Sequence, residues 1–386
     1  MIDIVAVLRA EDAVLDFLSV LSDPRRTEVH VLSGDTGAHL VLPPGTDPRE
    51  RLAALAGHVR PVDDTAASPG PEPLAVLLRR AAAGRPARLW THSPADNRRS
   101  RGVLGRDAAR AAETEGLPVR HAVGYSPYLQ FISDLDRPLD AAQTAAKLDF
   151  VNRHCAHLLS TRSPEQMLYT ARVPATERYF EAGPAERDGL FALLSSLDDG
   201  AATVEDPWEF ASSPYEQERL DATTAWIAGR LAPADGPLTE VGACEGALTV
   251  RLRDKGFTVE ATEPNPLFRR RLAARLGDTG RVHPDGLEEL AARPRLPGPA
   301  YLLIEMLYYG QDLDLLDTLP TGLVFVALEP EAIASRLVPW LETAPHWENA
   351  GETVLVRPAL EAVCGGRAYL SKRGSTGVLL RRTAAR

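Results

Sequence analysis

Cysteine is scarce in this chain: Cys155, Cys244 and Cys364 are the only three in 386 residues. They stand far apart and in no metal-binding spacing. Neither a disulfide framework nor a cysteine-based zinc site is expected, and a reducing compartment fits. Long apolar runs are missing too. No stretch approaches the ~20 residues that cross a bilayer, and no early segment joins a basic start, an apolar run and a small-residue cleavage site. The expectation is a cytoplasmic protein without a membrane partner. Basic excess is also lacking: a formal charge of -10 leaves no cationic face for phosphate backbones, which argues against a nucleic-acid partner and for a small or neutral substrate. Neither a Gly-x-Gly-x-x-Gly dinucleotide turn nor a phosphate loop ending in Lys-Ser or Lys-Thr marks the glycine turn discussed below.

What is present is a large apolar fraction, 44% against 25% charged residues, enough for a sizeable core and, at this length, for two domains. Residues 1–182 open with an apolar strand, Ile2 to Leu8, then a helix from Glu11 to Leu21 and a second strand from Glu28 to Leu32. That is the β-α-β start of a parallel sheet. A helix from Pro73 to Ala83, a strand from Ala87 to Thr91 and a long helix from Asp140 to Ser160 continue the pattern. Residues 183–204, with a short helix from Asp188 to Leu197 and an Asp-Asp-Gly turn, read as a linker.

Residues 205–386 form the second block. A helix to about Leu231 precedes Glu240-Val-Gly-Ala-Cys-Glu-Gly-Ala-Leu-Thr, followed by a helix to Lys255 and a strand from Thr258 to Thr262 ending at Glu263-Pro264. A helix from Phe268 to Leu276 and strands from Tyr301 to Met306 and Gly322 to Leu328 complete an alternation that predicts an α/β doubly wound sheet. Its ligand would lie beyond the carboxyl ends of the strands. Gly242 and Gly246 would let backbone approach that ligand, and the helix from Ala247 would aim its amides at it. Glu263 stands where a carboxylate accepts both hydroxyls of a ribose. The reading is a nucleoside cofactor without a pyrophosphate; the plain alternative is an ordinary tight strand-to-helix turn.

The Glu240–Thr249 motif with Glu263-Pro-Asn resembles the first two cofactor motifs of class I S-adenosylmethionine-dependent methyltransferases. Asp206-Pro-Trp, Ser213-Pro-Tyr-Glu and Glu305-Met-Leu-Tyr-Tyr resemble, more narrowly, the NodS-like branch, whose members include N-methyltransferases of glucosamine units. The resemblance implies S-adenosylmethionine as cofactor, with Gly242, Ala243 and Gly246 along its amino-acid part, Glu263 at the ribose, Asp285 near the adenine amine, and Glu240, Cys244 and Pro264 also among the cofactor-binding residues. Trp208 and Tyr215 would fold over it as a lid. Ala243 and Cys244 depart from the usual glycine-rich sequence. Methyl transfer needs no nucleophilic side chain, only a lone pair brought in line with the methyl carbon. Glu305, Tyr308, Tyr309 and His346 are the candidates for contacting a small-molecule acceptor; Tyr308 and Tyr309 read equally well as sheet-edge packing, and His346, beside Trp347 in a late loop, reads better as a surface residue. Arg98 to Arg101 and Arg269 to Arg271 read as solvated faces.

The first block resembles the LmbE, or PIG-L, family of zinc-dependent N-deacetylases. Ile4-Val-Ala-Val-Leu-Arg-Ala-Glu-Asp is similar to its opening strand and His-Pro-Asp-Asp, and Trp90-Thr-His-Ser-Pro-Ala-Asp with Arg98-Arg-Ser-Arg to its second signature. Arg9 stands where a ligand histidine belongs, and Ser100 where the other does. A guanidinium cannot deprotonate to share a site with zinc, so the expectation is a degenerate domain without metal, retained for folding, homo-oligomer contacts or substrate delivery. Together the blocks imply an enzyme that N-methylates an amino sugar or sugar-bearing specialised metabolite, as in antibiotic biosynthesis. O-methylation, a bifunctional deacetylase/methyltransferase and a non-catalytic cofactor-binding scaffold are the alternatives.

Overall fold

A computed structural model describes all residues except 24–27, 35–36, 60–66, 125–128, 156–172, 194–201, 203–205, 278–280, 294–295, 309 and 384–386. The chain divides into two compact units, Met1–Asp199 with Ala362–Leu370, and Gly200–Glu361 with Ser371–Arg386. No helix among the described residues is long and apolar enough to cross a membrane.

In the first unit the elements run β1 (Ile2–Val7), α1 (Ala10–Leu21), β2 (Val29–Ser33), β3 (His39–Leu42), α2 (Pro48–Ala56), α3 (Pro71–Ala82), β4 (Ala87–Thr91), α4 (Arg99–Thr114), β5 (Val119–Ala122), β6 (Leu129–Phe131), β7 (Leu135–Pro138), α5 (Ala141–His154), β8 (Thr176–Phe180) and α6 (Pro184–Leu193). The described strands form a sheet of order β3-β2-β1-β4-β5-β8-β7. Strands β2, β1, β4 and β5 are parallel, and β3, β8 and β7 pair antiparallel at the edges. Burial on both faces explains the unbroken apolar run of β1. Val5 and Val7 pack with α1 and α5 on one side, while Ile2, Ile4 and Ala6 pack with α3 and α4 on the other. Helix α1 kinks at Phe17, and Glu177 accepts the N–H groups of Leu18 and Ser19 at 2.9 and 2.8 Å while pairing with buried Lys147 at 2.7 Å.

The second unit contains α7 (Pro214–Ala228), β9 (Leu238–Val241), α8 (Ala247–Asp254), β10 (Val259–Thr262), α9 (Pro266–Leu276), β11 (Arg281–His283), α10 (Leu287–Ala292), β12 (Tyr301–Ile304), β13 (Leu323–Leu328), β14 (Trp347–Val356) and β17 (Ser375–Arg382). Between the last two lie β15 (Ala359–Val363) and β16 (Ala368–Lys372), of which Ala368–Leu370 pair antiparallel with β6 inside the first unit. The sheet order is β11-β10-β9-β12-β13-β17-β14, with the first five strands parallel and β17 antiparallel to both neighbours. Strand order reverses between β9 and β12, which opens a crevice beyond their carboxyl ends.

Two sequence expectations change. Residues 183–204 are not a linker throughout: α6 covers Pro184–Leu193 and belongs to the first unit, where the Phe191 ring lies 3.5 Å from the Arg99 guanidinium and 3.9 Å from that of Arg106. The helix expected to reach Ser160 is described only to His154; residues 156–160, including His157, and the Asp-Asp-Gly turn lie outside the described residues.

Gly377 lets β17 run beneath Trp226, because a Cβ there would stand 2.9 Å from the indole ring. Trp226 in turn meets Phe325 edge-on at 4.9 Å. Gly377→Ala is expected to overpack this contact and lower the stability of the second unit by ~1–3 kcal/mol, read by thermal or denaturant unfolding.

Candidate functional site

The turn leaving β9 is built from residues in left-handed backbone conformations: Gly242 at φ +69°, Cys244 at +51° and Gly246 at +81°. Glycine adopts these freely, whereas Cys244 carries a steric cost. The turn closes on itself through the Gly246 N–H to Ala243 O at 2.8 Å, and the Ala243 N–H donates to Thr262 O in β10 at 2.8 Å. A Cβ on Gly246 would stand 2.5 Å from Leu272 Cδ1 of α9, so no other residue fits there without a shift. Glu263 follows β10 directly. One of its carboxylate oxygens accepts the Cys244 N–H and the other the Asn265 N–H, each at 2.8 Å. Each oxygen keeps a further lone pair for a ligand hydroxyl. Burial raises the Glu263 pKa, opposed by those two N–H groups and by Arg269.

Glu240, within β9, is almost fully buried and accepts a hydrogen bond from Thr249 Oγ1 at 2.6 Å. Burial lifts its pKa from 4.5 to about 7, against the opposing Thr249 hydroxyl. Pro264 begins the turn into α9, whose N-cap Asn265 accepts the Leu267 N–H at 2.9 Å. Asp285 lies just past β11, the strand beside β10, so it borders the Glu263 side of the crevice. Trp208 packs against Phe268, ring centres 5.2 Å apart, in a small apolar cluster that also takes in Ala202 and Cys244. The segment before α7 thus reaches the glycine turn. The Tyr215 hydroxyl accepts the Gly374 N–H at 2.8 Å, which ties α7 to the turn before β17.

On the β12 side stand Glu305 and Tyr308. Ser375 Oγ donates to Glu305 Oε1 at 2.6 Å, and the Tyr308 hydroxyl donates to Oε2. The Tyr308 oxygen also accepts the Glu329 N–H at 2.9 Å. Ser375, Lys372, Arg219 and Glu329 complete this wall and were missed from sequence. They come from three distant segments and belong to no local motif. Glu216 both takes part in the Ser213 cap through its N–H and pairs with Arg219 at 2.8 Å.

His346 does not belong here. It is exposed and precedes β14, whose first residue Trp347 pairs with Arg382 at the far end of β17. Leu323, the first residue of β13, pairs with neighbouring Arg381, so this is the edge of the sheet opposite the crevice. Tyr309 lies outside the described residues. The arginine runs are solvated only in part, as at exposed Arg270. Arg269 donates to the carbonyls of Glu263 and Pro264 at 2.8 Å, and Arg271 bonds Glu245 and the Ala202 carbonyl.

Arg101 is buried at the switch point of the first unit, between β1 and β4. Its guanidinium lies 3.2 Å from Asp96 and 3.6 Å from Asp12, contacts Asp16, and donates from Nε to His92 Nδ1 at 3.1 Å. Burial works to raise the Asp12 pKa, but Arg101 and Arg98 outweigh it and hold the carboxyl well below its usual range. The cation in this cluster is therefore Arg101, whereas Arg9 caps α1 with its backbone N–H on Asp12 at 3.2 Å and Ser100 is exposed. Such a donor set does not fit zinc, because a fixed charge already fills its centre. Among the described residues no group of three or more His, Cys, Asp or Glu could hold a metal ion.

No protein-family profile matches the chain, and no curated protein matches it in sequence. Among solved structures it is similar to the N-methyltransferase NodS from Bradyrhizobium japonicum in complex with S-adenosylhomocysteine: 14% identity, 47% of this chain and 95% of that one, TM-score 0.35. It is also similar to a precorrin-6y C5,15-methyltransferase from Geobacter metallireducens, at 15% identity over 44% and 89% of the two chains with TM-score 0.33. A third is the tRNA (m1A58) methyltransferase TrmI from Aquifex aeolicus, at 14% identity over 43% and 69% with TM-score 0.32. Scores of this size carry no functional argument, which rests on the geometry of the crevice.

Gly242→Val is expected to abolish cofactor binding, since its side chain would face Met306 across the crevice from a φ that valine avoids, and Glu263→Ala to weaken it by ~1.5–3 kcal/mol. Calorimetry on both folded variants checks this. A second outcome concerns pH. The folded-state pKa of Glu240 is raised from 4.5 to about 7, so the protonated form favours folding, and that contribution, complete below pH 4.5, is lost as pH rises through about 7. Glu240→Gln should flatten that part of the stability profile of the second unit between those limits, as measured by unfolding at a series of pH values.

Proposed function

We propose that this chain is an S-adenosylmethionine-dependent methyltransferase acting on a small molecule, with N-methylation of an amino sugar or sugar-bearing metabolite favoured. The observation that carries the reading is the crevice between β9 and β12. There the left-handed turn through Gly242 and Gly246 adjoins a carboxylate, Glu263, held by one backbone N–H on each oxygen. These residues fit a nucleoside ligand without a pyrophosphate. Bound S-adenosylmethionine would supply an electrophilic methyl group on a sulfonium.

The chain's own work is positional. Glu263 would hold the ribose hydroxyls, and the Gly242–Gly246 backbone would lie along the amino-acid part. Trp208 and Cys244 would form an apolar wall. Glu305 and Tyr308 would meet the acceptor. The amino-sugar preference rests on the two sequence resemblances and is an argument by analogy. Arg101 supports the companion reading that the first unit is a deacetylase-like fold without metal chemistry, since its guanidinium stands where three carboxylates and an imidazole converge.

Isothermal titration of the full-length protein with S-adenosylmethionine and S-adenosylhomocysteine, with metal analysis of the same sample, tests both. Binding at about micromolar concentrations and no stoichiometric zinc are the expected results. Absent binding of both ligands removes the cofactor assignment, and one zinc per chain removes the second reading.

A further inference from the structure

Glu305 has φ +53°, a conformation that non-glycine residues hold only where their surroundings impose it. Its N–H donates to Ala327 O at 2.8 Å, and the next residue abuts the glycine turn: a Cβ on Gly242 would stand 3.5 Å from Met306 Cβ. The strained residue is thus fixed beside the crevice where the proposed cofactor lies. Its carboxylate is held from both sides by the hydroxyls of Ser375 and Tyr308, and the Glu329 N–H directs the Tyr308 proton toward it. Each oxygen retains acceptor capacity, and the side chain keeps 22% exposure.

Among the described residues this carboxylate only shares its nearest counter-charge. On α7 the nearest cation, Arg219, is committed to Glu216 at 2.8 Å and reaches Glu305 only at 3.9 Å. At the end of β16, Lys372 lies 3.2 Å from Glu216 and within 4 Å of Glu209 and Glu361, and on the turn that follows Arg373 pairs with Glu329 at 3.1 Å. Tyr215 faces the same turn through the Gly374 N–H. Among the described residues, Arg219, Lys372 and Arg373 each have a closer carboxylate than Glu305. Burial raises the Glu305 pKa against the opposing influence of Arg219, Ser375 and Tyr308, which makes it a stronger base than an exposed glutamate.

Resting on the methyltransferase reading, we propose that Glu305 receives the acceptor as a cationic amine and takes its proton. A primary or secondary amine, protonated in bulk water, docks as a closer counter-charge than Arg219. Its N–H bond breaks, the proton passes to a Glu305 oxygen, and the nitrogen lone pair is freed for methylation. The carboxylic acid so formed returns its proton to solvent as product leaves. Ser375 and Tyr308 are positioning residues that hold the carboxylate ionised and aimed. The acceptor class is thereby an amine rather than a hydroxyl.

The test needs no acceptor. Sinefungin is a cofactor analogue with an amine in place of the sulfonium methyl, whereas S-adenosylhomocysteine carries nothing there. By calorimetry on the full chain, Glu305→Gln should weaken sinefungin by about tenfold or more and leave S-adenosylhomocysteine within about twofold. Intact S-adenosylhomocysteine binding also certifies the fold of the variant. Equal sinefungin affinity in both proteins overturns the role of Glu305. Failure of S-adenosylhomocysteine to bind the unaltered protein overturns the methyltransferase reading instead. Ser375→Ala and Tyr308→Phe each remove a donor to the ionised form, so the acid limb of sinefungin binding should move to higher pH; an unmoved limb in both overturns their positioning role.

Discussion

The crevice of the second unit depends on Glu263 joining two turns. By accepting the N–H of Cys244 on one oxygen and that of Asn265 on the other, it clamps the loop leaving β9 to the loop leaving β10. Cys244 sits in a left-handed conformation that a β-carbon disfavours, and the charge-assisted bond offsets that cost. Around this clamp the neighbouring arginines stitch outward. Arg269 holds the carbonyls of Glu263 and Pro264, and Arg271 joins Glu245 to the segment before α7. The glycine turn, the Glu263 carboxylate and the flanking segment therefore share one hydrogen-bonded frame.

The two units resolve the same topological problem in opposite ways. Each has a parallel sheet whose strand order reverses once, and each gathers carboxylates at that reversal. In the first unit Arg101 fills the centre, Arg98 adds a second cation at Asp12, and both Asp12 and Asp96 are buried. In the second the cations sit at the rim, already engaged, and Glu305 remains partly exposed. A buried cluster that holds its own cations favours rigidity over exchange with ligands, whereas a carboxylate that shares its cation with a closer acid favours uptake of another.

Strand and helix positions were legible because apolar periodicity is local. Ile2–Val7, Ala87–Thr91 and Leu323–Leu328 fall within a residue or two of where the pattern puts them. So were Gly242, Gly246 and Glu263, since turn and carboxylate occupy fixed places relative to their strands. Helix α4 was not legible: its buried face includes Gly102, Gly105, Ala108 and Ala112, small residues that give little hydrophobic signal, and glycine there allows close approach to the backbone of Pro94 and His92. Arg101 was hidden for the same reason, one of several arginines in a run, distinguishable only once the helix has a direction. His346 was misplaced because the chain turns back through β17, which puts the loop before β14 at the wrong end of the sheet. Ser375 and Arg219 could be found only by long-range pairing, which no spacing rule encodes.

The short excursion of residues 362–370 into the first unit has a bearing on how such a protein could arise or be divided. A gene assembled by joining two independent reading frames end to end gives two units connected by one crossing. Here the chain leaves the second unit near its end, supplies Ala368–Leu370 as a partner for β6, and returns to contribute β17. Splitting the gene near residue 200 would leave β6 without that partner in one product, and in the other a segment with buried Ala368 and Leu370 lacking its sheet. The dependence runs one way: the C-terminal half carries a strand that completes the first unit's fold, so the first unit cannot be exchanged as a simple cassette cut near residue 200.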